Sequence, residues 1–389
     1  MDFETRIGIV GTGIAGLTTA IALHEAGFRP RLFEQSGALG DVGAGITLAP
    51  NASRVLLALG LEAALAEHVW TPRHTGILHF ATGQPVSLTE RGDHYRDHFG
   101  APFWHVHRAD LLAVLAGEVA RRGIPIAFGH RLADVVQHKH GVTVRFEAAE
   151  PAELDLLVAC DGIKSRTRDL LFETEPPRFT GYVAWRGLVD RSRLPGLRIA
   201  PDFGLYVGPG RMVGRYAVRK RSLVNIVAIA GNAALFEEGW MVRADVDELL
   251  AEFEGWHDEL LSMFAAIPRD QCFKWALHVR EPLDRWVTGR TALLGDAAHP
   301  MTPFLGLGAG IGIEDALVLA RALAAADDLA DGLARYEAAR VPHANRAQSE
   351  SARQGLYLLN MRPDEPPDRS LLGEDPFGLF GYDAVNASV

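Results

Sequence analysis

Three stretches of the chain place glycine and acid at spacings that suit a phosphate-bearing ligand. The first is Gly11-Thr-Gly13-Ile-Ala-Gly16. The second is Asp161-Gly162-Ile-Lys-Ser165-Arg-Thr-Arg168. The third runs from Gly295-Asp296-Ala-Ala-His299 to Gly306-Leu307-Gly308-Ala309-Gly310. In the first, Gly11 permits a tight turn, Gly13 lets backbone approach a pyrophosphate, and Gly16 lets a helix sit close on a strand. The helix that follows presents unpaired N–H groups and its positive dipole end to the phosphates. Glu34 stands about 20 residues on, where a carboxylate accepts from the two ribose hydroxyls of an adenosine. The third stretch, a glycine-rich loop opening a helix, is an anion site by the same geometry. Asp161-Gly162 closes a strand at the sheet edge where open α/β folds bind ligands; an ordinary Asp-Gly turn is the other reading.

These loops need strands and helices to hold them. Ile7-Gly-Ile-Val10, Arg31-Leu-Phe-Glu34, Asp155-Leu-Leu-Val-Ala-Cys160 and Thr291-Ala-Leu-Leu294 are short apolar runs, the pattern of parallel strands buried on both faces. Helices follow over Leu17–Ala26, Leu111–Arg122 and Ile313–Ala324. Gln35–Leu48 is a glycine-rich loop, readable as a turn or as a ligand contact. Asn51 reads as the cap of a helix with Val55, Leu56, Leu59 and Leu65 inward. Residues 76–89 read as paired strands around Thr82-Gly83, and 90–100 as a solvated polar loop. Arg108 opens a helix, a position that disfavours cations unless they face an anion; pairing with Asp110 is the alternative. Leu132–Val136 and Val142–Phe146 form a hairpin.

From residue 180 the texture changes. Tyr182–Val189, Phe203–Val207, Arg211–Val218 and Leu223–Ile229 are rich in aromatic and β-branched residues and too close together for intervening helices. They read as an antiparallel sheet. One helical segment, Asp245–Ala266, follows, with Glu248, Glu252 and Glu259 on a wet face. A helix from Gly332 runs towards Asn360 with a kink at Pro342. Residues 361–389 read as an irregular tail whose Phe377, Leu379, Phe380 and Tyr382 pack back on the body.

The chain has 389 residues, 48% hydrophobic and 23% charged, the composition of a globular protein of about two domains. A net charge of −10 argues against nucleic acid as a partner. No run of about 18 apolar residues suggests a membrane span. The start shows no signal-peptide pattern, and the two unclustered cysteines, Cys160 and Cys272, suit a reducing compartment better than a metal site. A cytoplasmic protein without metal is the expectation.

In order, the three motifs resemble those of the single-component (class A) flavoprotein aromatic hydroxylases, typified by salicylate, hydroxybenzoate and hydroxynicotinate hydroxylases. The resemblance covers about residues 5–350 and includes Val42-Gly-Ala-Gly-Ile46, His107-Arg-Ala-Asp-Leu111, Val183-Ala-Trp-Arg-Gly-Leu188 and Gly208-Pro-Gly-Arg211. It implies an α/β fold: a Rossmann-like FAD-binding domain with a parallel sheet, an inserted, mainly antiparallel β-sheet substrate domain, and C-terminal helices. The implied FAD-binding domain is discontinuous, over 1–70, 101–175 and 275–350. The substrate domain takes 71–100 and 176–274, and 351–389 forms the end of the last helix and the tail.

The resemblance also implies the cofactor contacts. Glu34 holds the adenosine ribose, Arg108 and the backbone near Leu132 the adenosine and pyrophosphate side, and Asp296 the ribityl and pyrophosphate region. The 306–310 loop, with Gly308 and Ala309, lies under the flavin pyrimidine. Gly11, Gly13, Ala15, Gly16, Gln35, Thr47, Asp161 and Gly295 complete the set. Asp161-Gly162 serves both FAD and a transiently docked NADH or NADPH, since no second dinucleotide fingerprint exists. The implied reaction is hydroxylation of a small aromatic or N-heteroaromatic compound with dioxygen, through a flavin C4a-hydroperoxide, in aromatic-compound catabolism. An FAD oxidoreductase without oxygen transfer and a non-catalytic FAD- or aromatic-binding protein are the alternatives. A homodimer is compatible with such a chain.

The chain departs from these relatives around the ring. Many carry a His and then Tyr-Pro after Gly-Pro-Gly-Arg; here the run is Met212-Val-Gly-Arg215-Tyr216-Ala217. Many carry Gln-Gly after Pro-Phe, and some hydroxynicotinate relatives a His after Gly-Ala-Gly-Ile; here these are Leu307-Gly308 and Thr47. The expected substrate pocket therefore comprises Met212, Tyr216, Pro303 and Leu307, with no histidine as base. Tyr216, Arg186 and Arg215 are the candidate catalytic residues, either arginine taking a substrate carboxylate through a bidentate pair or standing solvated on its strand.

Overall fold

The computed structural model describes residues 5–40, 43–172, 175–231, 242–365, 367, 368, 371 and 375–389; Val42 of the Val-Gly-Ala-Gly motif lies outside them. Ile7–Val10, buried at all four positions, is a central strand of a six-stranded sheet. The order is Val287–Thr288, Thr291–Leu293, Leu156–Ala159, Ile7–Val10, Pro30–Phe33, Ile126–Ala127, parallel except for the first pair. Side chains alternate along these strands, so each face has its own cover. Ile7, Ile9, Leu32, Leu156 and Val158 join a core with the helices Ile14–Glu25, Arg108–Arg121 and Gly308–Ala325. Val10, Phe33 and Leu157 meet the small antiparallel sheet of Leu132–Gln137, Val142–Phe146 and Ala152–Leu154. Gly11, Glu34, Asp161 and Gly295 all lie just beyond the carboxyl ends of parallel strands, on one edge of the sheet.

The aromatic and β-branched segments form an eight-stranded sheet. Its order is Val242–Arg243, Phe273–Val279, Arg178–Asp190, Leu223–Gly231, Arg211–Val218, Phe203–Gly208, His74–His79, Pro85–Glu90. All pairs are antiparallel except Phe203–Gly208 with His74–His79. One face packs Trp185, Tyr206 and Val213 against Phe253, Trp256 and Phe264 of a helical layer. The other carries Ala184, Met212, Ile229 and Leu277, partly covered by Leu358 and Leu359 of the long helix Leu329–Asn360.

Several expectations are corrected. Residues 93–99 are a helix, not a solvated loop, because Tyr95 is buried against Phe99, Phe103 and Phe380. Asn51 is not a cap: it sits inside the helix Pro50–Ala58, buried, and its Nδ2 donates to Glu314 at 2.5 Å. The segment 245–266 is two helices, Val246–Glu252 and Asp258–Ala265, separated by a turn with Gly255 at φ +80°. Its acids are not a plain wet face. Glu248 takes Lys274, Glu252 takes Arg211, and Glu259 lies 3.7 Å from Arg215. The last helix starts at Leu329, capped by Asp328, and continues through Pro342. The tail does pack back: Phe377 and Leu379 are buried in the main core, with Phe380 and Tyr382 against it. No described helix is long and apolar enough to cross a membrane.

Candidate active site

The first motif separates packing glycines from a ligand glycine. Gly11 has φ +100°, and a Cβ there would meet the Cys160 carbonyl oxygen at 2.3 Å. A Cβ on Gly16 would meet the Gly11 carbonyl oxygen at 2.0 Å. On Gly13 it would meet nothing within 4 Å, so this turn stays open on the side where a pyrophosphate approaches. Gly13 also heads Ile14–Glu25 without a side-chain cap, which leaves first-turn N–H groups to a ligand. Ala15 packs the motif against the third one, its Cβ lying 2.9 Å from where a Gly295 Cβ would be. Glu34 is held in place by Thr12, whose N–H and hydroxyl donate at 3.1 and 2.6 Å, and by the Ser36 N–H at 2.9 Å. Burial raises its pKa, but these donors outweigh it and hold the carboxyl below its usual range. Gln35 is exposed beside it, and Leu132 is buried in the hairpin core behind Phe33.

The second motif is a brace. Asp161 accepts from the Ser165 hydroxyl at 2.5 Å and from the Thr167 N–H and hydroxyl at 3.0 Å each, so its carboxylate folds its own loop. Arg168, 2% exposed, reaches the third motif and donates to the carbonyls of Ala297 and Ala298 at 3.3 and 3.0 Å. Burial pulls its pKa down to about 10, still cationic at neutral pH. The third motif is anchored from beneath by Asp315, which accepts the Gly295 N–H at 3.1 Å and lies 2.6 Å from His299 Nε2. Arg340 bridges Asp315 and Glu314 at 2.7 and 2.6 Å, all three fully buried. Sequence reasoning missed this network; two adjacent acids in an otherwise apolar helix were its visible signal.

One cavity of about 1140 Å³ connects the third motif to the large sheet. Thr47, Arg108, Asp296, Gly308, Ala309 and Pro303 line one part. Asp296 opens onto the cavity, yet the enclosing walls raise its pKa, with His299 and Arg108 opposing. Burial lowers the Arg108 pKa and Asp296 opposes it. Asp110 does not pair with Arg108: its two oxygens take Arg219 at 2.8 and 2.7 Å. Thr47 donates to the Gly306 carbonyl at 3.0 Å, and Gly308 heads its helix without a side-chain cap. The other part is walled by Met212, Tyr216, Phe203, Val227, Phe273 and Trp275, with Arg186 among them. The aromatic wall of Phe273 and Trp275 was not foreseen. Nor was His278, which lines the cavity with its Nδ1 3.2 Å from the Ala276 carbonyl.

Two expected pocket residues lie elsewhere. Arg215 points to the opposite face of the sheet, fully buried, where it donates to the carbonyls of Ala200, at 2.8 Å, and Pro201. Alternation along its strand puts Tyr216 in the cavity and Arg215 behind it. Leu307 is buried in the main core, and its neighbours Gly306 and Gly308 form the wall instead. The open Gly13 turn, two uncapped helix starts at glycine loops, oriented Glu34 and cavity-facing Asp296 together fit FAD.

Comparison with known proteins agrees. The FAD binding domain family pattern matches residues 4–351. The chain is 37% identical to the 3-amino-4-hydroxybenzoate 2-monooxygenase of Streptomyces platensis over 98% of this chain and 96% of the relative. It is 34% identical to the salicylate hydroxylase of Pseudomonas putida, over 97% and 91%. Among solved structures, Klebsiella pneumoniae HpxO complexed with FAD and uric acid superposes with TM-score 0.81 at 27% identity, covering 97% and 93%. A salicylate hydroxylase substrate complex gives TM-score 0.82 at 26% identity, covering 98% and 96%. The chain belongs to the FAD binding domain family, among the single-component flavoprotein aromatic hydroxylases.

Proposed function

We propose that the chain is an FAD-dependent monooxygenase that consumes NADH or NADPH and dioxygen and hydroxylates a small aromatic or N-heteroaromatic ring. One observation carries the reading: Thr47, Arg108, Asp296, Gly308 and Ala309, suited to a flavin, line the same cavity as an aromatic-walled chamber. Bound FAD supplies the redox chemistry, accepting a hydride and activating dioxygen. Thr47, Arg108, Asp296 and the Gly308–Ala309 helix start would hold it, Glu34 would take its adenosine ribose, and the Gly13 turn its pyrophosphate.

The chain's own task at the chamber is to orient a ring and keep water out. Phe203, Val227, Phe273 and Trp275 offer flat apolar surface for a ring and exclude solvent from its reacting edge. Burial raises the pKa of the Tyr216 hydroxyl, with Arg186 opposing, so at neutral pH it is a donor to a ring substituent and not a base.

The test is aerobic oxidation of NADH and NADPH by the FAD-loaded protein in the presence of hydroxybenzoates, anthranilates and hydroxypyridines. Stimulated oxidation with an oxygen atom from labelled dioxygen in the product is expected. Stimulated oxidation without label in any product identifies an oxidoreductase without oxygen transfer.

A further inference from the structure

We infer that Asn225 is a positioning residue for the oxygen transfer: by accepting the Gly45 N–H it fixes the spacing between the flavin side of the cavity and the ring chamber. The inference rests on the monooxygenase reading and adds a residue that acts through its neighbours.

Asn225 is fully buried in the strand Leu223–Gly231. It pairs with Leu188 on one side and Tyr216 on the other, and both of these line the cavity. Directly paired residues share a face of a sheet, so the amide lies on the cavity face. There its Oδ1 accepts the Gly45 N–H at 2.8 Å. Gly45 opens the strand Gly45–Leu48, which belongs to a different sheet. Gly45, Ile46 and Thr47 line the cavity, and Thr47 reaches on to the Gly306 carbonyl at 3.0 Å. The two strands meet with no room to spare: a Cβ on Gly45 would stand 2.7 Å from Tyr216 Cε2 and 2.8 Å from Asn225 Cγ. One amide therefore ties the strand that carries Thr47 to the sheet that carries Tyr216.

The cost of this amide argues for a purpose beyond packing. Its Nδ2 is buried with no hydrogen-bond partner among the described residues. A buried donor left unmet lowers stability, and the residues before and after it, Val224 and Ile226, are buried and apolar. What Asn225 supplies is a directional tie that no apolar side chain gives. Docking the sheet does not depend on it. The same hairpin is held at its tip by Arg219, which takes Asp110 at 2.8 and 2.7 Å, and nearby by Trp70 Nε1, which donates to the Ala217 carbonyl at 2.6 Å. Group transfer between two bound partners is far more sensitive than docking, since a displacement of about 1 Å can cost about a hundredfold in rate. A loosened wall also admits water. Asn225 stands at the point where both are set.

The test compares Asn225→Leu, which removes the acceptor, with Asn225→Asp, which keeps it. Hydrogen exchange over residues 44–48 is measured on the apoproteins. Product formed per NADH or NADPH consumed is measured on the FAD-saturated proteins, with whichever of the hydroxybenzoates, anthranilates and hydroxypyridines stimulates the wild type most. In Asn225→Leu, exchange should rise about tenfold and product yield should fall by about threefold or more. Asn225→Asp should stay within about twofold of the wild type in both. Gly45→Ala, which drives a methyl between Tyr216 and an intact Asn225, should lower the yield in the same way, and adding Asn225→Leu to it should lower it little further. Wild-type exchange in Asn225→Leu overturns the inference, as does wild-type yield in either Asn225→Leu or Gly45→Ala. So does a loss in Asn225→Asp equal to that in Asn225→Leu, and so do fully additive losses in the double variant. All of these leave the monooxygenase reading in place. A wild type that transfers no oxygen to any of the compounds removes that reading, and this inference with it.

Discussion

Arg340 donates its Nε to Asp315 at 2.7 Å with neither side chain exposed, and through Asp315 the last helix reaches the Gly295 N–H at the third motif. Arg340 also takes Glu314, so one guanidinium from the helix Leu329–Asn360 compensates two buried carboxylates of Gly308–Ala325. Arg340→Met fills similar volume and removes the guanidinium from both acids, leaving Glu314 with Asn51 and Asp315 with His299 and the Gly295 N–H. A loss on the order of 3–5 kcal/mol is expected, read by urea unfolding, together with weaker FAD retention as Gly295 loses its anchor. The acid limb gives a second readout. Burial pushes the Asp315 carboxyl up, but His299 and Arg340 outweigh it and hold it at about 2. Its folded pKa lies below the unfolded value of about 4, so the stabilisation is complete above about pH 4 and drains away as pH falls towards 2. The wild type should lose stability steeply across that window, and Arg340→Met much less so. Equal acid slopes in the two proteins would show that Asp315 does not depend on Arg340.

How far all this could be read from the chain depended on the range of the interaction. The Gly11–Gly16 turn, the strands before each motif and the antiparallel texture after residue 180 are local patterns, and local patterns carry their geometry in the sequence. Arg340 and Asp315 are joined by packing between two helices that no period encodes. Arg215 and Tyr216 were treated alike because strand alternation says that they face opposite ways but not which way is inward. The helix at 93–99 hid behind its polar residues because one buried tyrosine is a weak periodic signal. Arg168 stood in a motif read as ligand-facing, whereas its partners are carbonyls of another loop.

The dinucleotide turn offers a contrast between two glycines three positions apart. Gly13→Ala adds a methyl group that meets nothing in the protein, so the chain should fold with wild-type stability while FAD affinity falls by tenfold or more. Gly16→Ala drives a methyl into the Gly11 carbonyl oxygen, so the protein itself should lose stability, by about 1–3 kcal/mol. Glu34→Ala should behave like the Gly13 change, weakening FAD by about 1.5–3 kcal/mol through loss of charge-assisted hydrogen bonds. Flavin titration and thermal unfolding of the apoproteins separate the cases. Normal FAD binding by Gly13→Ala would remove the pyrophosphate from this turn.

The neighbours Arg215 and Tyr216 sort structure from chemistry on a single strand. Arg215 lies over Gly204, whose missing side chain makes room for it: a Cβ there would meet the guanidinium carbon at 2.8 Å. Arg215→Leu leaves the carbonyls of Ala200 and Pro201 without their donor and should cost on the order of 1–3 kcal/mol of stability. Its effect on ligand binding should be small, because the guanidinium is not on the cavity wall. Tyr216→Phe keeps the ring that packs on His105 at 4.7 Å between centroids, so stability should stay within about 0.5 kcal/mol. What it removes is a cavity hydroxyl that burial keeps protonated. Product formed per NADH or NADPH consumed should therefore fall, and no ionisation from this residue should appear in the rate profile between about pH 6 and 9. Denaturant curves and oxygen-coupled turnover measured on both variants decide the assignment. A stable Arg215→Leu protein that has lost substrate affinity would put the pocket on the other face of the sheet.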